Sequence, residues 1–327
     1  MSSSHLHWAV ASGFAAWAGA RLLGLDRVHR AEDWAVPALS FTPQVAAAAA
    51  AAAGVSLLCG GGTTRSRAAA ALAAGALAAT VVPRAIPRPQ PRADGAELGV
   101  LTSNMLVGRA DAESLVALTV STGADVLFLQ ELTDGALTRL LKAGLDSVLP
   151  YQVLEPAAHG PKGSAIFARY PLREGLAVAP ASRARPVARL QVPGGESVQL
   201  VCVHLRPPRP SRSPRGAVRW REEMAMLPGP GEEPVIMAGD FNATLDHARF
   251  RALLGLGYVD AAVQVGRGLV PTWGPRAGGD PAVLTIDHIL LDARCAVRAV
   301  RAYQVPGTDH RAVYAQIGLP GWRAQPR

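Results

Sequence analysis

The chain has 327 residues, which is enough for one large domain or two ordinary ones, and its formal net charge is +8. Only Lys142 and Lys162 are lysines, so we attribute the charge mainly to an arginine-rich composition and leave an anionic partner open. The three cysteines, Cys59, Cys202 and Cys295, are too few and too far apart for a disulfide framework, and none has metal-ligand spacing.

The first 82 residues are mostly apolar and contain three long alanine-rich stretches. A bilayer core about 30 Å thick needs roughly 20 helical residues, and the third stretch reaches that length only if residues 63–67 contribute. The stretches lack the polar face of a soluble hairpin, and no lysine or arginine precedes them as in a signal peptide. We therefore predict a membrane region over residues 1–82 with about three helical spans, at 8–25, 35–60 and 64–82. One or two spans, or none, are the alternatives.

The arginines around these stretches give conflicting evidence on orientation. Arg65 and Arg67 favour a cytoplasmic loop before the third span, which places the rest of the chain outside the cytoplasm. Arg84, Arg88 and Arg92 follow that span and favour the reverse. We predict a multi-pass cell-membrane protein with its larger part outside the cytoplasm, and the reverse orientation stays open.

The remainder of the chain has a different composition. Residues 83–96 are rich in proline and arginine, which predicts an extended linker. From 97 to 320, short apolar runs alternate with amphipathic helical stretches, notably at 111–122 and 134–145. Alternating strands and helices predict a layered α/β domain, in which ligands bind beyond the strand ends.

Most of the apolar runs end in residues that can bind metal or phosphate. These residues are Asn104, Glu131, His204, Asp240, Asn242, Asp287, Asp309 and His310. Each alone is an ordinary turn or core residue, but clustered carboxylates repel one another unless a cation neutralises them. A hard cation held by a few carboxylates, with water and substrate completing its coordination, is typical of Mg²⁺. Asp240 and Asn242 would share one face of a strand, because strand side chains alternate with a period of two.

The ordered motifs TSNM, LFLQE, KGSAIFAR, VHLR, AGDFN, TIDHILL and GTDH resemble those of the endonuclease/exonuclease/phosphatase superfamily over about residues 97–318. One such motif would be weak evidence, but the whole set in order is specific. The resemblance implies a four-layer α/β sandwich, in which two packed mixed sheets are flanked by helices. It also implies metal-dependent hydrolysis of phosphoester bonds with Mg²⁺, or alternatively Mn²⁺, as the cofactor.

The resemblance further implies roles for the individual residues. The metal ligands would be Glu131, Asn104 and Asp309. Asp240 would activate the attacking water, and Asn242 would donate to a phosphate oxygen. His310 would pair with Asp287, while His204 would hold the phosphate or assist the leaving oxygen. The segment MLVG after Asn104 lacks the acidic residue that some relatives carry, so we predict one metal rather than two.

The sequence says less about the substrate. The arginine-rich segment 206–223, which includes Trp220, could bind a phosphate backbone or anionic head groups, or be a solvated loop leading into a helix. We predict a phosphodiester substrate and favour nucleic acid, with a phospholipid or inositol phosphate as the alternative. A third hypothesis is a non-catalytic, membrane-tethered binding protein with a decayed hydrolase domain. The lipid bilayer would be a partner through the N-terminal helices.

Overall fold

The structure is a computed structural model that describes residues 3–29, 31–59, 62–175, 181–194, 197–208, 216–276 and 281–321. An N-terminal group of helices precedes a larger α/β sandwich. The N-terminal helices are α1 (Ser3–Leu23), α2 (Glu32–Leu39), α3 (Thr42–Leu58) and α4 (Thr64–Val81), with 3-10 turns at Leu25–Arg27 and Val82–Ala85. Helices α1, α3 and α4 pack together through small side chains, since a buried cluster of alanines joins them.

The apolar stretch predicted as one span at 35–60 forms two helices instead. Helices α2 and α3 meet at an angle of 65°. Pro43 lies in the first turn of α3, where its missing N–H costs nothing. Within a continuous helix the same ring would clash with the preceding turn, which favours a break before it.

The prediction of three membrane spans is wrong for the described residues. One helix, Thr64–Ala85, is long and apolar enough to cross a membrane, and a second counts only if the bent α2–α3 pair is one span. The helix over the predicted span 8–25 is not apolar enough to cross a membrane, since its histidines and Arg21 lower its mean hydropathy. Arg21 is also buried against the sandwich, where its Nε lies 2.7 Å from Asp246 Oδ1. The buried core helix of a soluble protein can be equally long and apolar, so length and hydropathy alone do not make Thr64–Ala85 a membrane span.

The sandwich contains two six-stranded mixed sheets. The first, in spatial order, consists of β11 (Ala296–Gln304), β12 (Arg311–Gly318), β1 (Glu97–Asn104), β2 (Val126–Gln130), β4 (Ser164–Ala168) and β3 (Tyr151–Glu155). The second consists of β5 (Leu172–Glu174), β6 (Val187–Gln191), β7 (Ser197–His204), β8 (Val235–Asp240), β10 (Asp287–Asp292) and β9 (Tyr258–Asp260). Strands β1 and β2 are parallel, as are β7 and β8.

Helices cover the outer faces of both sheets. They are α5 (Ala112–Thr122), α6 (Asp134–Lys142), α7 (Leu145–Val148), α8 (Gly216–Ala225), α9 (Ala248–Leu254) and α10 (Ala261–Gln264). Alternate residues of the strands fill the core between the sheets, and the intervening residues pack against α5 and α6 on one side and α8 and α9 on the other. The predicted four-layer α/β sandwich is therefore confirmed.

The N-terminal helices and the predicted linker both contact the sandwich. Val36 of α2 belongs to the same buried cluster as α8 and α9. In the linker, Arg88 donates from its backbone N–H to Gln264 O at 2.9 Å, and Gln90 accepts from Val297 N–H at 3.1 Å. The segment between α4 and β1 thus lies along the surface of the sandwich.

Candidate active site

The polar residues at the strand ends face the gap between the two sheets. Asn104, His204 and Asp240 end β1, β7 and β8, and each continues the alternate face that core residues of its strand occupy. Parallel pairing of β7 with β8 places His204 opposite Asp240, and antiparallel pairing of β10 with β8 places Asp287 on the other side. Strand register therefore gathers these side chains at one edge of the sandwich.

All eight predicted site residues lie at this edge. His204 Nε2 is 3.6 Å from Glu131 Oε1 and 3.8 Å from Asp240 Oδ2. His310 Nε2 is 3.8 Å from Asp309 Oδ1 and 4.0 Å from Asp240 Oδ2. The structure thus brings together residues that are up to 206 positions apart in the sequence.

Asp240 accepts three hydrogen bonds although it is almost fully buried. Its Oδ2 accepts from Asn104 Nδ2 at 3.1 Å and Asn242 Nδ2 at 3.0 Å, and its Oδ1 accepts from Asn242 backbone N–H at 2.8 Å. Burial raises the pKa of Asp240 to about 7, although the charge of His310 opposes the rise. A carboxyl group that titrates near neutrality is suited to proton transfer.

Asn242 lies beyond the end of β8, so the predicted strand does not extend through it. β8 ends at Asp240, and Asn242 has a φ of 46°, a left-handed conformation that asparagine tolerates better than most residues. Its amide donates one hydrogen bond to Asp240 and a second to Leu205 O at 2.9 Å. Both amide hydrogens are therefore engaged, and this geometry orients Asp240.

Glu131 lies beside a loop with unusual backbone angles. Glu131, Leu106 and Val107 all have positive φ, at 56°, 45° and 53°. Such conformations cost on the order of 1–3 kcal/mol each in residues other than glycine, and they occur preferentially at functional sites. Val107 donates its backbone N–H to Glu131 Oε2 at 2.8 Å, which fixes the carboxylate at the mouth of the cleft.

His310 and Asp287 form a buried ion pair. His310 Nδ1 is 2.9 Å from Asp287 Oδ2, and Thr272 Oγ1 donates to the same oxygen at 2.6 Å. Burial disfavours the imidazolium, but the charge and hydrogen bond of Asp287 outweigh it and raise the pKa of His310 to about 9. The pair is therefore an imidazolium held by a carboxylate, with Nε2 directed towards Asp240.

Arg183 is a further cleft residue that the sequence motifs do not contain. Its Nη1 contacts both ring nitrogens of His204 and lies 3.1 Å from Nδ1. The pKa of His204 is well below its usual value because the ring is buried and lies near Arg183 and His310, so His204 is neutral and accepts from the guanidinium. The only sequence signal is a short arginine-rich run before β6 that matches no motif.

The arrangement fits a divalent cation. Glu131 and Asp309 place carboxylates in the cleft, and the buried Oδ1 of Asp309 accepts no hydrogen bond from the described residues. Asn104 Oδ1 accepts one hydrogen bond, from Leu106 N–H at 2.9 Å, which leaves a lone pair for a ligand bond. These are the hard oxygen donors that Mg²⁺ prefers.

A second group of residues could also hold an ion by distance alone. Candidate ligand atoms of Asp240, Asp287 and His310 lie within 4.8 Å of one another. We favour the first set, because a protonated imidazole has no lone pair for a metal and Asp287 is already bonded to His310.

One interpretation from the sequence is wrong. Trp220 does not reach the cleft to contact a substrate: it is fully buried, and its Nε1–H donates to Phe241 O at 3.1 Å. Residues 209–215 of the same arginine-rich segment lie outside the described residues. The cleft itself has a volume of about 510 Å³.

Residues 101–310 match the Endonuclease/Exonuclease/phosphatase family. The chain belongs to this family. Family membership makes it a metal-dependent hydrolase of phosphoester bonds, as the sequence motifs predicted. A search of curated proteins finds no match to the chain.

Solved structures share this fold at low sequence identity. An endonuclease/exonuclease/phosphatase from Beutenbergia cavernae is 18% identical, with a TM-score of 0.54 over 70% of this chain and 72% of that one. TDP2 from D. rerio, complexed with a single-strand DNA product, is also 18% identical, with a TM-score of 0.53 over 68% of this chain and 99% of that one. These similarities support the fold of the sandwich.

Proposed function

We propose that the chain is a membrane-anchored, Mg²⁺-dependent phosphoesterase that cleaves phosphodiesters by in-line attack of water. The convergence of all eight predicted residues at one edge of the sandwich carries this proposal. Mg²⁺, or alternatively Mn²⁺, would be held by Glu131, Asn104 and Asp309. When bound, the cation would neutralise charge on the phosphate oxygens.

The side chains supply the other parts of the reaction. Asp240 takes the proton of the attacking water, and Asn242 holds Asp240 in position for that transfer. His310, charged through its pair with Asp287, stabilises negative charge that develops on the phosphate oxygens. His204 holds the phosphate or assists the leaving oxygen.

Arg183 is the side chain best placed to bind a phosphate oxygen directly. Its guanidinium lies in the cleft beside His204, and its planar donors suit an anionic oxygen.

A nucleic-acid substrate has support from the DNA product bound to the structurally similar TDP2. A phospholipid or inositol phosphate is the second candidate, which the apolar lining of the cleft favours.

The proposal is tested by replacing Asp287 with asparagine. Turnover of a chromogenic phosphodiester should fall about 10²-fold, because loss of the paired carboxylate removes charge from the imidazole. Wild-type activity should decline above about pH 9, where His310 loses its proton, and the decline should start at lower pH in the variant, since removing a negative charge lowers the pKa. Glu97→Gln, on an exposed part of β1, is the control. Equal rates in both variants would remove the pair from the mechanism.

The membrane anchor also has structural support. Most exposed large hydrophobic side chains among the described residues lie before residue 87, with Leu58 89% and Leu72 76% exposed. Apolar surface of this kind suits a bilayer. We propose that the sandwich lies outside the cytoplasm, since Arg65 and Arg67 favour a cytoplasmic loop before α4. The full chain should sediment with membranes and remain there after alkaline extraction. Its release into the soluble fraction would exclude the anchor.

A further inference from the structure

The corner between α2 and α3 forms part of the wall of the cleft. Pro37, Ser40 and Phe41 line the same cavity as Asp240 and His310. The N-terminal helices therefore contribute residues next to the reacting groups, in addition to any role as an anchor.

Direct contacts fix this corner to the sandwich. His247 Nε2 lies 2.8 Å from Val36 O and 3.2 Å from Ser40 Oγ. Gln44 Nε2 donates to Val283 O at 2.6 Å, beside the segment that lines the cleft. Because Val36 is also buried in the sandwich core, the corner has a defined position relative to the cleft.

The wall is apolar close to the charged groups. Phe41 is 43% exposed, and Trp273, Leu284 and Ile286 extend the apolar lining. A hydrocarbon group bound there would contribute roughly 25 cal/mol for each Å² of apolar surface removed from water. A nucleic-acid backbone instead requires cations spaced along a groove.

The wall also adjoins the N-terminal helices. Helix α3 begins directly after Phe41 and packs against α4, which forms most of the candidate membrane helix Thr64–Ala85. The wall at Phe41 is therefore directly connected to the helices that are proposed to anchor the chain in a bilayer.

We propose that the α2–α3 corner selects phosphoesters that carry a long hydrocarbon chain, with Phe41 as the specificity-determining contact. This inference rests on the proposed function and names its substrate class. The substrate would be an amphiphilic phosphodiester of the membrane-lipid type, presented to the cleft from a bilayer.

Two synthetic phosphodiesters with the same leaving group test the inference. Full-length protein in detergent micelles with Mg²⁺ is assayed on methyl and hexadecyl esters of 4-nitrophenyl phosphate. In each case the oxygen of water bonds to phosphorus, the bond to 4-nitrophenolate breaks, and Asp240 takes a proton from the water. We expect kcat/KM to be at least about tenfold higher for the hexadecyl ester, as burial of a few methylene groups would give.

Three variants locate the source of this preference. Phe41→Ala should reduce the ratio of the two kcat/KM values about tenfold, whereas Phe41→Leu, which stays apolar, should keep most of it. Trp34→Ala removes an aromatic residue of α2 that is 58% exposed and does not line the cleft, so its ratio should match the wild type. Circular dichroism of each variant checks the fold.

The outcomes separate the inference from the proposed function. Hydrolysis of neither ester would contradict the proposed function itself. Hydrolysis without a preference for the hexadecyl ester, or a preference that Phe41→Ala leaves intact, would overturn only the inference. Faster cleavage of a single-stranded oligonucleotide, reduced by Phe41→Ala, would show that the wall stacks on bases and would also overturn it.

Discussion

Replacing Glu131 with glutamine is expected to lower kcat/KM for a phosphodiester by about 10³-fold, which corresponds to about 4 kcal/mol of transition-state stabilisation. Glutamine has nearly the same shape, and its carbonyl oxygen can still accept from Val107 N–H. The substitution therefore removes one negative charge and leaves the local hydrogen bond in place. The size of the effect follows from the proposed role of Glu131 as the principal metal ligand.

Metal binding can be measured separately from turnover. Mg²⁺ at 100 times its dissociation constant should stabilise the wild type by about 2.7 kcal/mol, and this gain should be absent in Glu131→Gln. Glu97→Gln, in which the altered carboxylate is exposed at the start of β1, should keep both the activity and the gain. A Glu131→Gln protein with wild-type turnover in Mg²⁺ would exclude Glu131 as a ligand.

The layered α/β class and the polar strand ends follow from local patterns, whereas the two packed sheets and the roles of the site residues were implied by the family resemblance. Short continuous apolar runs mark the strands, and each strand's polar end keeps the face of its core residues, as in His204 and Asp240. The ends of parallel strands meet at one edge, so a set of polar strand ends indicates a shared site even without distances. This is why eight residues from six motifs could be predicted to converge.

Arg183, which the sequence did not reveal as a site residue, depends on the pairing of neighbouring strands. Arg183 reaches His204 only because β6 and β7 are adjacent, and no motif marks it. Trp220 is different, since its burial was readable: Ala217, Trp220 and Met224 repeat at helical spacing on the inner face of α8. The arginine-rich surroundings suggested binding, but the periodicity indicates core packing.

The count of membrane spans failed for local reasons, because α1 has too low a hydropathy and a bend divides the second stretch into α2 and α3. Composition alone treats alanine-rich helices as apolar on all sides, yet α1, α3 and α4 bury alanines against one another. Arg21 would have been costly within a bilayer, but it is satisfied by Asp246, which also binds Arg84 and lies more than 160 positions beyond it in the chain. Hydropathy along the sequence contains no information on such a partner.

Replacing Asp246 with alanine is expected to lower the free energy of unfolding by about 3–5 kcal/mol, because it leaves two buried arginines without their counter-charge. Arg21 Nε lies 2.7 Å from Asp246 Oδ1, and Arg84 Nη1 lies 2.8 Å from Oδ2. Asp246 is fully buried, and each arginine is less than 10% exposed. The carboxylate therefore connects α1 and the turn after α4 to the sandwich in a region that water does not reach.

Chemical unfolding of the full chain in detergent measures this loss, and the exposed Glu97–Arg298 pair is the matched control. Both of those side chains are 44% exposed, so Glu97→Gln should cost less than about 1 kcal/mol. If Asp246→Ala is no less stable than this control, the buried cluster does not hold the helices on the sandwich. If it is less stable, the preference for the hexadecyl ester should fall as well, because the α2–α3 corner keeps its place in the cleft only while the helices are docked. Loss of that preference with the short ester still cleaved would show that the helices and the catalytic residues form one substrate-binding unit.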